Sequence, residues 1–449
     1  MRVLMFGWEF PPHISGGLGT ACYGLTKGLS EFNDTEVIFV VPRAWGDELS
    51  REGMSLIGAN QVPVAEEVIS MGGQEPGLKY IGIRADIVPY LDPVQYRELR
   101  KIRSPENQHF VEINKDGTIV FSGLYGPSLF KEIRNYALVA IEVVSGEAFD
   151  VIHAHDWLAF PAGLAAKKAS GKPLIVHVHA TEFDRTGGNV SPAVYAIERE
   201  GMELADKVIT VSNLTRNTVI NRYGIPPEKV VTVYNAVEPL PDRPVKKVQR
   251  IPGLKTVTFM GRITLQKGPE YFIEAAHMIL KKIPEVRFVM AGSGDMLNSA
   301  VGQAARLGIT DRFHFTGFLE NDEVLQLLDV TDVFVMPSVS EPFGIAPLEA
   351  MLAGVPVIVS RQSGVAEIVR YATKIDFWDT CALADAIFGL LQYDALAQMF
   401  SRHGAVEAGS LKWKHAAGMV RDLYLELTGS VHSTHKEEIS GLPTVKNVS

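Results

Sequence analysis

The chain has 449 residues, 46% hydrophobic and 21% charged, which is ordinary for a globular protein and more than a single hydrophobic core usually serves. Its net charge of -9 disfavours a general nucleic-acid or anionic-membrane surface, and two distant cysteines, Cys22 and Cys381, disfavour a disulfide framework or a Cys-rich zinc site. A protein of a reducing, cytoplasmic compartment with two or more domains is expected, without nucleic acid and without stable membrane insertion.

Residues 3–6 form an apolar run that reads as a first strand. A loop containing Gly16, Gly17 and Gly19 follows, and then a helix with Leu18, Cys22, Leu25 and Leu29 on one face. Residues 37–41 give a second strand. From about 43 to 126 glycines and prolines break the rhythm, leaving strand-like pieces such as 118–121, and we read this stretch as an insertion. Its cluster Arg97, Arg100, Lys101 and Arg103 reads as a solvated helix face rather than a membrane patch. A helix near 128–144 and strands at 151–153, 174–178, 208–211 and 230–233 complete a doubly wound unit, residues 1–240.

Prolines 239, 241, 244 and 252 mark a linker over 241–253. Strands at 257–260, 286–291, 313–315, 333–336 and 355–359 then predict a second parallel α/β domain over 254–410, facing the first across a cleft. A last helix, 411–428, has the length to pack back on the first domain. The tail, 430–449, is polar and expected to be disordered.

The chemistry concentrates where strands end. Gly16-Gly17-Leu18-Gly19 lets backbone approach a phosphate or a sugar, but Cys22 stands where a dinucleotide fingerprint needs its third glycine. Gly292-Ser-Gly294 likewise meets Leu297, and no lysine-containing P-loop occurs, so dehydrogenase and ordinary ATPase readings fall away. Gly261-Arg262 to Lys267-Gly268 puts two cations in a strand-end loop, able to take a diphosphate whose charge grows as a bond breaks. Glu341 and Glu349 lie eight positions apart in a strand-loop-helix turn, placed to hold hydroxyl groups or a developing cation. His153, His155, His177 and His179 alternate on two strands. A histidine metal site is one reading; strand-end groups holding sugar hydroxyls is the other, and the one we adopt. No Asp-x-Asp triplet is present to clamp a metal on a diphosphate. Neither a metal nor a cofactor is expected.

Together, Gly16-Gly17-Leu18, His153-Ala-His155-Asp156-Trp157, His179, the Gly-Arg to Lys-Gly loop and the stretch from Glu341 to Glu349 resemble the retaining GT-B glycosyltransferases. The likeness is to family 4 and its glycogen and starch synthase relatives, over nearly the whole chain. That resemblance implies two Rossmann-like domains, with Arg262 and Lys267 as diphosphate clamp, Glu349 on the ribose and Glu341 over the donor sugar. It also implies Gly344 and Ile345 as backbone donors, His179 at a sugar hydroxyl and Gly17 against the diphosphate. His155, Asp156 and Glu9 become acceptor-side candidates, and Arg262, Lys267, His179 and Glu341 carry catalysis. Trp8-Glu9-Phe10-Pro11-Pro12 and the His-Asp-Trp run are most similar to α-glucan synthases, implying ADP-glucose or UDP-glucose as donor and an α-glucan as acceptor. Two features depart from them: Ile14 where many bacterial synthases carry lysine, and Phe343 where many carry cysteine. Other expectations compatible with these residues are a family 4 enzyme making a disaccharide, a sugar phosphate or a lipid-linked sugar, and a noncatalytic nucleotide-sugar-binding regulator.

Overall fold

A computed structural model describes residues 1–14, 16–48, 51–64, 113–240 and 249–429. The basic cluster at 97–103, most of the linker and the tail at 430–449 lie outside the described residues.

Seven parallel strands form the first sheet. They are β1 (Arg2–Phe6), β2 (Glu36–Val41), β3 (Met54–Gly58), β4 (Val151–His155), β5 (Leu174–Val178), β6 (Lys207–Thr210) and β7 (Val230–Thr232), in the order β3-β2-β1-β4-β5-β6-β7. The chain reverses direction across the sheet between β1 and β4, where Val3 pairs with both Val37 and Val151. Alternation decides which side chains go to which layer. Leu4, Phe6, Ile38 and Val40 face a core shared with α2 (Leu129–Gly146) and α3 (Asp156–Ser170). Val3, Met5, Val37 and Phe39 face α1 (Gly17–Ser30). Both faces are dry, so the strands read as continuous apolar runs, each large side chain contributing about 2 kcal/mol of burial. The short helices α4 (Glu182–Thr186), α5 (Pro192–Leu204) and α6 (Asn213–Tyr223) follow β5 and β6.

The second sheet has six parallel strands, β8 (Lys255–Met260), β9 (Val286–Ala291), β10 (Phe313–Gly317), β11 (Val333–Met336), β12 (Val357–Ser360) and β13 (Thr373–Ile375), ordered β10-β9-β8-β11-β12-β13. Around it lie α7 (Pro269–Leu280), α8 (Leu297–Arg306), α9 (Asn321–Val330), α10 (Ala346–Leu352), α11 (Val365–Ile368), α12 (Thr380–Gln392) and α13 (Asp394–Ser410). A final helix, α14 (Trp413–Thr428), returns to α1. Glycines make that crossing close: a Cβ on Gly24 would stand 2.1 Å from the Trp413 ring, and one on Gly28 would stand 2.6 Å from the Trp413 carbonyl oxygen.

Two strands were not anticipated. Met54–Gly58 lies within the stretch read as an insertion yet joins the first sheet, and Thr373–Ile375 is an edge piece too short to show a period. Conversely, residues 118–121 contribute isolated bridges, Pro63 with Thr118 and Ile113 with Ile119, rather than a strand.

The domains touch through polar contacts. Ser340 donates its hydroxyl to Asp184 at 2.6 Å, and Glu367 on α11 accepts the N–H groups of Asn213 and Leu214 at 2.9 and 2.7 Å.

Candidate functional site

After β8 the chain turns through Gly261 into Arg262 and a 3-10 turn, Leu265–Lys267, stopped at Gly268. Gly268 has φ +64°, and a Cβ there would sit 2.3 Å from the Pro337 carbonyl oxygen. Only glycine permits this approach, which brings Lys267 against the loop following β11. There Lys267 Nζ forms an ion pair with Glu341, both side chains mostly buried. Glu341 is held further by its amide, which donates to the Gln362 carbonyl at 2.9 Å, and by Ser338 Oγ at 3.4 Å from its carboxylate. Gly344 and Ile345 lead into α10, and Glu349 sits in its first turn, where burial pushes its carboxyl above the usual range. The glutamates are thus separated in role: Glu341 is tied to a cation, while Glu349 is a half-buried carboxyl.

In the first domain, Gly17 opens α1 and is exposed, and Gly16 before it has no side chain to cap the helix. Glu9 is buried, its carboxylate accepting the Gly19 N–H at 3.2 Å. His155 and Asp156 are buried too. They support His179. Asp156 takes the His179 and Ala180 amides at 2.6 and 3.3 Å, from a backbone with φ +57°, and His155 Nδ1 lies 2.9 Å from His179 Nε2.

The four histidines stack. His155 pairs with His177 across β4 and β5, so alternation puts all four rings on one sheet face, with centroids 4.3 Å apart along each strand. Burial first, then neighbouring imidazoles, lowers the basicity of His153, His155 and His177; burial also lowers His179, against the raising influence of Asp156. The ligand atoms of His153, His155 and His177 lie within 4.8 Å of one another, as do those of Cys22, His155 and His179. Such a donor set suits zinc by type, and its rings are stacked, at 8° between His153 and His177 and 30° between His155 and His177.

The loop carrying His179 runs into α4, whose Thr181 and Asp184 form a capping box. Asp184 bonds Ser340, and Gly187 lies beside Leu265. His179, Lys267 and Glu341 are thereby brought to one interdomain seam. Asp184 escaped the sequence reading as a site-building residue, although its Thr-x-x-Asp spacing marks a helix start.

Residues 243–405 match the family model for glycosyl transferases group 1, and residues 102–239 match that for glycosyltransferase family 4. An uncharacterised glycosyltransferase of Methanocaldococcus jannaschii is 30% identical over 384 residues, covering 83% of each chain. The chain belongs to the family 4 glycosyltransferases. A glycogen synthase of Mycobacterium tuberculosis is 25% identical over 433 residues, covering 95% of this glycosyltransferase and 94% of that one. The sucrose-phosphate synthase of Thermosynechococcus elongatus superposes with a TM-score of 0.68 at 17% identity, over 96% of this chain and 100% of the other. That likeness speaks to fold: two parallel α/β domains in the GT-B arrangement. No described helix of this glycosyltransferase is long and apolar enough to cross a membrane.

Proposed function

We propose that this glycosyltransferase moves glucose from ADP-glucose or UDP-glucose to a hydroxyl of an α-glucan, with retention at the anomeric carbon. The observation carrying the reading is the Lys267–Glu341 ion pair at the seam, beside the loop that carries His179. A lysine neutralised by Glu341 before substrate arrives can transfer its hydrogen bond to a diphosphate oxygen as charge develops there. The likeness to glycogen synthase over nearly the full length supports a glucan acceptor. Neither cysteine is paired, which suits cytoplasmic chemistry.

In this scheme Arg262 and Lys267 hold the diphosphate with Gly17 at its other side. Glu349 binds the ribose, and Gly344 and Ile345 present backbone N–H groups. His179 steadies a sugar hydroxyl, while Glu341 faces the sugar as positive charge grows at its anomeric carbon. The bond from that carbon to the phosphate oxygen breaks as the acceptor oxygen attacks the same face, and the departing oxygen takes the acceptor's proton. Positioning and electrostatics supply the rate, without a covalent intermediate. Incubating purified protein with ADP-glucose or UDP-glucose against glycogen, maltose and glucose 1-phosphate, and reading the new linkage by NMR, tests this. Extension of glycogen or maltose through an α-linkage is expected. A β-linked product ends the retaining assignment, and transfer confined to glucose 1-phosphate ends the glucan assignment.

A further inference from the structure

With His155 and Asp156 engaged with His179, the acceptor needs other partners, and a cavity of about 310 Å³ in the first domain offers them. Three loops line it: the one following β1, the one following β2, and residues 123–125. Glu9 ties the cavity to the turn beginning α1, through its bond to Gly19. The loop after β2 is rigidly built. Glu48 accepts the N–H groups of Trp45 and Gly46 at 2.5 and 2.9 Å, the Arg43 guanidinium lies 3.7 Å from the Trp45 ring centre, and His13 stacks on Trp45 while pairing with Asp47 at 2.7 Å.

Arg43 makes no hydrogen bond or ion pair with another described residue, so its donor fork rests over an indole with its N–H groups unspent. Trp45 remains 45% exposed. Two ligand classes fit a fixed arginine fork beside aromatic rings, a phosphorylated sugar and a neutral one, and the charge balance of the lining decides between them. One arginine stands against the carboxylates of Glu9 and Glu48, and His13 is shared with Asp47. A phosphate would meet at least as much repulsion as attraction. Neutral hydroxyl groups can use both the donors and the carboxylate lone pairs, while C–H faces rest on aromatic carbon.

We propose that this cavity seats a glucosyl ring of a neutral glucan acceptor, the Arg43 fork donating to adjacent ring hydroxyls and Trp45 and Tyr125 meeting the C–H surface. The assignment rests on the glucan-transfer reading for its ligand class. Arg43 and Trp45 then determine acceptor specificity, not donor binding.

Calorimetry with maltotetraose and with glucose 1-phosphate, on wild type, Arg43→Gln and Trp45→Ala, is the test, together with acceptor and donor kinetics. Each variant is expected to weaken maltotetraose binding and raise its KM about tenfold, the loss of one or two hydrogen bonds or of one stacked face. Donor KM is expected to move by less than about twofold. Equal melting temperatures establish that the fold is intact, and Arg43→Gln, which removes no packed ring, carries the test alone if Trp45→Ala melts lower. Unchanged maltotetraose binding in Arg43→Gln, or tighter binding of glucose 1-phosphate than of maltotetraose, overturns the assignment. Should maltotetraose bind in an Arg43-dependent way without being extended, the transfer reading fails and the cavity stands. Should both variants extend it with normal acceptor KM, the cavity fails and the transfer reading stands.

Discussion

Asp156 holds the His179 amide 2.6 Å from its carboxylate, and does so from a left-handed backbone, φ +57°. Asp tolerates that region better than most residues, and the two amide bonds offset the remaining strain. The residue therefore shapes the turn that carries His179. Asp156→Ala loses both bonds and keeps the strain, whereas Asp156→Gly loses the bonds and relieves it. Urea unfolding should give a loss of roughly 2–4 kcal/mol for alanine and about 1 kcal/mol less for glycine. Equal losses would show that the backbone conformation is not strained.

Lys267 and Glu341 stabilise each other before substrate arrives, so removing either has two effects. Lys267→Ala removes one cation of the proposed diphosphate clamp and leaves a largely buried carboxylate without its partner. Turnover is expected to fall about 100- to 1000-fold, as when one charge-stabilising donor is removed from an active site. Lys267→Arg should recover part of that rate. Intact turnover in Lys267→Ala would remove lysine from the mechanism.

The histidine stack is expected to make the first domain acid-labile. His153, His155 and His177 have folded-state basicities pushed well below the ordinary imidazole value of 6.5, by burial and then by neighbouring rings. The unfolded chain thus binds protons that the folded one refuses. Their contribution is present above pH 6.5 and is lost as pH falls through the lower folded values. Melting temperature should be flat from about pH 7 to 8 and decline steeply below about 6.5, with a proton uptake on unfolding greater than one. His177→Gln should flatten that slope; an unaltered slope would place the acid sensitivity elsewhere.

Much of this was legible because the strands are buried on both faces: runs such as Val333–Met336 read as buried parallel strands and predicted two α/β domains, while the GT-B expectation came from the resemblance carried by the motifs. The i, i+2 spacing of His153 and His155, and of His177 and His179, showed that each pair shares a strand face. Only the register of β4 on β5 revealed that the pairs stack on each other. Met54–Gly58 was hidden by its flanking glycines and Thr373–Ile375 by its length. The Asp184–Ser340 bond spans 156 positions, a separation no local pattern encodes. The same blindness explains the acceptor side. His155 and Asp156 end a strand, where ligands often bind, but a strand-end side chain can equally support its neighbour, and these two contact His179.

Glu367 provides the last test, because one side chain serves a whole seam. Its carboxylate takes the N–H groups of Asn213 and Leu214, which open α6 in the other domain, and the Tyr234 hydroxyl at 2.8 Å. An anion at the start of an 11-residue helix also meets the positive end of its dipole. Glu367→Ala removes all of these bonds without touching Lys267, Glu341 or His179, so its effect must pass through the relative placement of the domains. X-ray scattering should show a larger radius of gyration, and kcat/KM should fall severalfold, with Glu367→Gln between alanine and wild type because an amide oxygen still accepts. Since the residue is exposed, salt should weaken the wild-type contact and narrow the gap between wild type and alanine. A variant with unaltered scattering and unaltered kcat/KM would mean that the seam is closed by Asp184–Ser340 and by packing, with Glu367 acting only as a cap for α6.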